Sequence, residues 1–400
     1  MKDHNKKIRA AYFAGTMKPG QDGVTRVLFR LVDWLNENKI ENVFLSSQIP
    51  GADRQVTNFF EVPSFPFPFY KEYKVAYPGY KYFESVLNKF KPDIIHINSP
   101  CSLGLAAIKY AKKKNIPVVA TYHTHFPSYA KYYNIKQLEF ISWNYLRKFY
   151  NKCDRVFVPS NNILNELKEK RFETIEYLPH GIDLNLFNKS FKSMEWKRSL
   201  NISDKKVLLF VGRLVWEKDL RTFTEIYDIL TGLRDDVVFV LVGEGPIKKE
   251  LEKLMPEALF LGYKSGKELS TIYASSDLFI FPSTTETFGN VVLEAMASGI
   301  IPVCSDEGGA SSSITNNQNG IICESKNPFD FSKKIVNLLN NKPELERIAQ
   351  NCIEYSSKQS WENIFLIQYQ HYVDVINDYK FKNIYGINID SKHIAEPLVN

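Results

Sequence analysis

Pro282-Ser-Thr-Thr-Glu286-Thr-Phe-Gly-Asn290-Val-Val-Leu-Glu294-Ala-Met-Ala-Ser-Gly299 is the stretch on which the reading of this chain turns. It holds two carboxylates eight positions apart, Glu286 and Glu294. Ahead of it, Leu278-Phe-Ile-Phe281 has the apolar run of a buried strand, stopped by Pro282. Behind it, Ile301-Pro-Val-Cys304 reads as the next strand. The pattern predicts strand, loop, a helix starting near Phe288, and strand again.

Such a unit has a definite chemistry. The first turn of a helix leaves backbone N–H groups without intrahelical partners, and these together with the helix dipole favour an anion. Gly289 lets a ligand approach the backbone with no Cβ in the way. Glu286 precedes the helix and Glu294 lies more than a turn inside it. Carboxylates accept hydrogen bonds and suit sugar hydroxyls or a ribose diol. Donors for phosphate beside acceptors for hydroxyls are what a sugar nucleotide requires. A lone pair of glutamates is more often a solvated surface feature, so the rest of the chain has to carry weight.

The βα alternation runs through the chain twice. Ile8–Ala14 reads as a strand, followed by a loop ending at Gly23 and a helix with Val24, Val27, Leu28, Leu31, Val32 and Leu35 on one face. Val43–Ser46, Pro92-Asp-Ile-Ile-His-Ile97, Pro117-Val-Val-Ala-Thr121 and Arg155-Val-Phe-Val-Pro159 are further strands, and Cys101–Lys114 is a helix. Tyr122-His-Thr-His-Phe-Pro127 follows a strand's carboxyl end, where open α/β sheets place ligands. Ser160 is an N-cap for a helix from Asn161. After Pro179-His-Gly-Ile-Asp183, the polar residues to about Asp204 read as an irregular hinge.

The second round starts at Lys206-Val-Leu-Leu-Phe-Val211, whose loop is Gly212-Arg-Leu-Val-Trp-Glu-Lys218. Two basic residues in a loop, Arg213 and Lys218, are usually solvated surface, but after a buried strand they are also the cations a diphosphate needs to bind and to leave. Val237-Val-Phe-Val-Leu-Val242 leads into Gly243-Glu-Gly245, and Leu259-Phe-Leu-Gly-Tyr263 is another strand and loop. Ser305-Asp-Glu-Gly-Gly309 is one more glycine loop, and Trp361–Asp378 reads as the last amphipathic helix. Periodicity thus predicts an α/β protein of two Rossmann-like domains facing a cleft.

The central string, with G-R-L-x-x-E-K at Gly212–Lys218, resembles the retaining glycosyltransferases of family 4 and their E-x7-E signature. Phe288-Gly-Asn-Val-Val-Leu-Glu-Ala-Met-Ala-Ser-Gly299 is similar to the GDP-mannose-dependent α-mannosyltransferase branch. The resemblance implies the GT-B fold and a retaining, metal-independent hexosyltransferase. It implies an N-terminal acceptor-side domain over 1–190, a donor domain over 191–360, and a helix over 361–380 returning to the first domain. It assigns His123, Arg213, Lys218 and Glu286 to catalysis, and His125 is the weaker histidine. Gly23, Gly243, Tyr263, Phe288, Gly289, Asn290 and Glu294 become contacts of the donor. Glu286 is then a contact of the sugar hydroxyls rather than a nucleophile, and the leaving diphosphate takes the acceptor's proton. Closure of the hinge on the donor would exclude water. GDP-mannose is the favoured donor, with no cofactor besides. A UDP-sugar-dependent transferase acting on diacylglycerol is the alternative, and a GT-B epimerase or a non-catalytic carbohydrate-binding protein stands further off.

Composition leaves room for this. The 400 residues carry 51 Lys and Arg against 45 Asp and Glu, a net charge of +6, which hints at anionic partners without a basic block for nucleic acid. The five cysteines are scattered with no C-x-x-C, and no segment approaches the ~20 apolar residues of a membrane span. The expected location is cytoplasmic, with peripheral contact to an anionic membrane left open. Phe59–Phe83 holds eleven aromatics and four prolines, with Lys71, Lys74 and Lys81 among them. Proline there excludes regular helix and central strand, leaving a loop packed on its own domain or a flap for acceptor or membrane. Tyr129, Tyr132 and Tyr133 are expected on the acceptor side. The acceptor is either a lipid or a saccharide.

Overall fold

The computed structural model describes residues 7–18, 23–50, 58–67, 70–77, 79–125, 127 and 136–385. The chain divides into two compact units. One comprises Met1–Thr121, Lys148–Phe157 and Phe365–Asn400, the other Tyr122–Arg147 and Val158–Ile364.

In the first unit the strands lie in the order Phe59–Glu61, Asn42–Ser46, Ala10–Ala14, Ile94–Ile97, Val118–Thr121 and Arg155–Val158. Every pairing among them is parallel. The inner strands are short apolar runs buried at every position, as a parallel sheet covered on both faces demands. Helix Gly23–Glu37 turns the expected face inward, burying Val27, Leu28, Leu31, Val32 and Leu35. His96, on a central strand, is buried with both ring nitrogens engaged: Nε2 lies 2.7 Å from Thr121 Oγ1 and Nδ1 2.5 Å from Tyr372 Oη.

The aromatic stretch gives the main sheet its edge strand, Phe59–Glu61, and then forms an antiparallel hairpin apart from that sheet, Ser64–Phe67 with Tyr70–Ala76. Its register shifts between Pro66 and Phe67, where proline cannot donate to a ladder. Phe83 is buried against Phe13. Phe65, Tyr77 and Tyr82 form a half-exposed cluster, with ring centroids 5.3 and 6.1 Å apart.

The second unit repeats the strand order with Leu259–Phe260, Val237–Val242, Lys206–Val211, Leu278–Phe281, Ile301–Ser305 and Ile321–Cys323, all parallel. Phe210, Phe279 and Phe281 stack at its centre. In this order the third, second and first strands lead outward on one side, and the fourth, fifth and sixth on the other. Lys206–Val211 and Leu278–Phe281 therefore flank the switch point, where the crevice for a ligand opens beyond the carboxyl ends.

Two local expectations need correction. The segment read as an irregular hinge contains a 3-10 turn, Lys189–Phe191, and a helix, Met194–Ser199. Asn188 and Ser193 start them by accepting from Ser190 N and Trp196 N, and elements this short show no periodicity in sequence. The last helix runs Trp361–Tyr385, well past Asp378. Among the described residues no helix is long and apolar enough to cross a membrane.

Candidate functional site

The loops after Lys206–Val211 and Leu278–Phe281 are stitched together at the switch point of the second unit. Asp219, buried and in the left-handed region at φ 54°, accepts from Thr284 N at 3.0 Å and Thr284 Oγ1 at 2.6 Å. Thr285 Oγ1 donates to Glu217 O at 2.8 Å. Burial raises the Asp219 carboxyl above its ordinary range, and the Thr284 hydrogen bonds oppose that rise. This stitching brings Lys218 Nζ into hydrogen-bonding contact with Glu286 Oε1. Burial lowers the Lys218 ammonium to about 8, with Glu217 opposing and Arg213 adding to the fall. Arg213 itself is exposed.

Behind Glu286 stands the Gly308–Gly309 loop. Gly309 N donates to Glu286 O at 2.7 Å, and a Cβ on Gly309 would lie 1.9 Å from Thr287 O. The backbone carrying Glu286 is thus held by a contact that only glycine permits.

Helix Asn290–Ala297 starts two residues later than its sequence suggests, because Gly289 caps it at φ 79°, in the left-handed region. Phe288 is 4% exposed and packs under the His180 ring, centroid to centroid 4.9 Å. His180 Nδ1 lies 2.8 Å from Asn290 Oδ1. Burial lowers the His180 imidazole to about 4, so it is neutral near pH 7. With Nδ1–H donating to Asn290, Nε2 is an acceptor, and among the described residues this buried atom has no hydrogen-bond partner.

His123 joins the same cluster, its ring 6.0 Å from that of His180. His125 does not: it is buried, bound to Tyr122 Oη at 2.9 Å and Glu166 Oε2 at 3.2 Å, and serves structure. His180 was missed as a site residue in the sequence. Its signal was the turn Pro179-His-Gly-Ile-Asp183, where a Cβ on Gly181 would sit 2.7 Å from Trp361 Cα.

The remaining sequence candidates lie as follows. A Cβ on Gly243 would lie 1.9 Å from Gly212 O, and Gly243 N donates to Gly262 O at 2.8 Å. Close packing of the strand-end loops therefore accounts for this glycine before any ligand is considered. Tyr263, next to Gly262 in sequence, is 69% exposed. Glu294 is buried, and its Oε2 accepts from Tyr273 Oη at 3.0 Å. Gly23 opens the first helix of the other unit. Tyr129, Tyr132 and Tyr133 fall outside the described residues. Cations, a carboxylate, a glycine-capped helix start and the neutral His180 with His123 beside it lie in one unit, and this arrangement can bind a diphosphate ester next to a polyol.

Comparison with known proteins identifies the family. The family model described as glycosyl transferases group 1 matches residues 192–358, and that of glycosyltransferase family 4 matches residues 21–186. A GDP-mannose-dependent alpha-mannosyltransferase of Corynebacterium glutamicum is 31% identical over 92% of this chain and 89% of its own length. A sulfoquinovosyl transferase of Arabidopsis thaliana is 35% identical over 74% of this chain and 60% of its own. The solved sucrose-phosphate synthase of Thermosynechococcus elongatus superposes with a TM-score of 0.76 at 18% identity, covering 93% of this chain and all of that one, which bears on fold alone. The chain belongs to glycosyltransferase family 4: it is a hexosyltransferase of two Rossmann-like domains, the GT-B fold.

Proposed function

We propose that the enzyme transfers mannose from GDP-mannose to a lipid or saccharide acceptor with retention at the anomeric carbon. The single observation that carries the site is the Lys218–Glu286 contact at the switch point. The choice of donor is supported by the relative named for GDP-mannose, which is similar over nearly the whole chain.

In this reading the diphosphate lies at the start of helix Asn290–Ala297, over Gly289 and Asn290. Arg213 and Lys218 hold its charge, with no metal or cofactor in the reaction. Glu286 exchanges part of its contact with Lys218 for the sugar hydroxyls. Glu294, oriented by Tyr273, accepts from the ribose diol. His123 approaches the transferred sugar, and Gly243 and Tyr263 border the nucleotide. The bond from the anomeric carbon to the diphosphate oxygen breaks as the acceptor oxygen bonds on the same face. The departing diphosphate takes the acceptor's proton. The developing negative charge on that diphosphate is the feature the two cations meet more strongly in the transition state than in the ground state.

The test is thermal stabilisation by GDP and by UDP at equal concentration. A ligand at about 100 times its Kd, binding the folded state alone, adds ~2.7 kcal/mol. Stabilisation by GDP, followed by mannose transfer with the α-configuration kept, is expected. Stabilisation by UDP alone would replace mannose with the second reading, a UDP-sugar donor, for which the 35% identical sulfoquinovosyl transferase is the supporting observation. A lipid acceptor, if that is the substrate, brings peripheral contact with a membrane.

A further inference from the structure

Asn162 stands in the first turn of helix Asn161–Glu169, which Ser160 caps by accepting from Ile163 N at 3.3 Å. Its side chain reaches across to the loop that follows strand Ile301–Ser305. Nδ2 donates to Gly308 O at 2.9 Å and to Ser311 Oγ at 3.1 Å, and the backbone N of Asn162 donates to Ser312 Oγ at 3.4 Å. A carbonyl can only accept, so the bond to Gly308 O fixes which end of the amide faces the loop, and both N–H bonds of that amide are used. Three hydrogen bonds from one exposed residue thus close on a segment 146 to 150 positions away.

That segment is the one that backs Glu286. Gly308 has φ 79°, and a Cβ there would lie 2.6 Å from Thr284 O. Gly309 N donates to Glu286 O at 2.7 Å. Two successive glycines have wide backbone freedom, so a loop of this composition keeps its place through such ties. The neighbouring parts are held by other means. Thr284 and Thr285 are bonded to Asp219 and Glu217, on the side of Lys218. Ala310 is buried and held by packing.

We infer that Asn162 is a positioning residue for the transfer reaction: it braces the Gly308–Gly309 loop, which fixes the backbone from which the Glu286 carboxylate meets the sugar hydroxyls. The inference deepens the proposed function and rests on the role of Glu286 in it. Arg213 and Lys218, the cations of the diphosphate, do not hang on this brace. Its loss therefore falls on kcat rather than on donor binding.

Asn162→Asp tests this in the full chain, with the sugar nucleotide of whichever base, guanine or uracil, stabilises the wild-type protein. The variant keeps the shape of the side chain, loses both N–H donors and sets a carboxylate against Gly308 O. A carboxylate in the first turn of a helix is favourable, so the melting temperature should hold or rise. Over the same change kcat should fall about ten- to hundredfold, the scale of a small misplacement, with KM for the donor within about twofold. Asn162→Gln, which keeps the amide on a longer stem, should recover part of the loss. Asn161→Asp puts the same charge one residue earlier and should keep the wild-type kcat. In a Glu286→Gln background Asn162→Asp should cost less than it does alone, because the brace acts through Glu286. Wild-type kcat in Asn162→Asp, an equal loss in Asn161→Asp, or an undiminished loss in the Glu286→Gln background overturns the proposal. Full activity in Glu286→Gln itself would instead remove the role of Glu286, so the two failures read out separately.

Discussion

Lys218 donates through Nζ to Glu286 Oε1, so a cation and a carboxylate from two strand-end loops are joined at the switch point of one sheet. Neither side chain reaches bulk water freely, at 16 and 21% exposed. Each therefore holds the other in place before a donor arrives. Lys218→Met and Glu286→Gln are each expected to lower kcat by about 10²–10³, the cost of removing one electrostatic stabiliser. Their combination should cost little more than the worse single change, since groups that act as a unit are not additive. Steady-state kinetics on the full cycle checks this, and losses that multiply would separate the two roles.

Lys218 also sets a pH limit. Burial holds its folded pKa near 8, so the free enzyme loses this cation as pH rises through that value. A bound diphosphate favours the charged form and moves the loss to higher pH. The alkaline fall in kcat/KM should therefore lie near pH 8, and that in kcat above it. In Lys218→Arg, which does not titrate there, the fall should disappear from whatever activity remains. A pH profile unchanged in that variant would assign the limb to another group.

Glycine substitutions separate packing from ligand binding. Gly243→Ala places a Cβ 1.9 Å from Gly212 O at φ 142°, so the loops must move apart. Gly232, inside helix Leu220–Leu233, has open space for a Cβ and no positive φ. Gly232→Ala is expected to stabilise by about 1 kcal/mol, from helix propensity alone. Gly243→Ala should lose more than 2 kcal/mol, the scale of backbone strain combined with a steric clash. Denaturant unfolding of both variants measures the contrast. An unchanged midpoint for Gly243→Ala would mean that the close approach of these loops is not held in solution.

What the sequence disclosed, and what it withheld, follows from the range of the interactions involved. Apolar runs such as Lys206–Val211 and Leu278–Phe281 are local signals, and they gave the strands. That these two lie side by side depends on pairing between residues about 70 positions apart, and only the repeated βα pattern hinted at it. Glu286, Lys218 and Gly289 were legible because one motif or another carries each of them. The partner of Glu294 was not: Tyr273 lies 21 residues earlier on another helix, and a tyrosine there reads as core. His180 was passed over for a similar reason. Its hydrogen bond to Asn290 spans 110 positions, and in sequence it is one histidine in a turn. The short helix Met194–Ser199 escaped because a single turn or two carries no period to detect.

Burial of His180 makes the stability of the fold depend on pH. The folded state holds this imidazole to about 4, against an ordinary value of 6.5 when the chain is unfolded. Between those values the unfolded chain binds more protons, so stability rises with pH across the window. The contribution is fully present above pH 6.5, is lost as pH falls toward 4, and amounts to ~3 kcal/mol at most. His96, which burial lowers to about 3, acts in the same direction and extends the loss to lower pH. His180→Asn keeps an amide to donate to Asn290 but carries no titrating ring. Urea unfolding at pH 7 and pH 4.5 should show a smaller acid-induced loss in this variant than in wild type, with the His96 share remaining. An equal loss in both would mean that His180 takes up its proton in the folded state as readily as in the unfolded chain, and the neutral acceptor at Nε2 would then have to be abandoned.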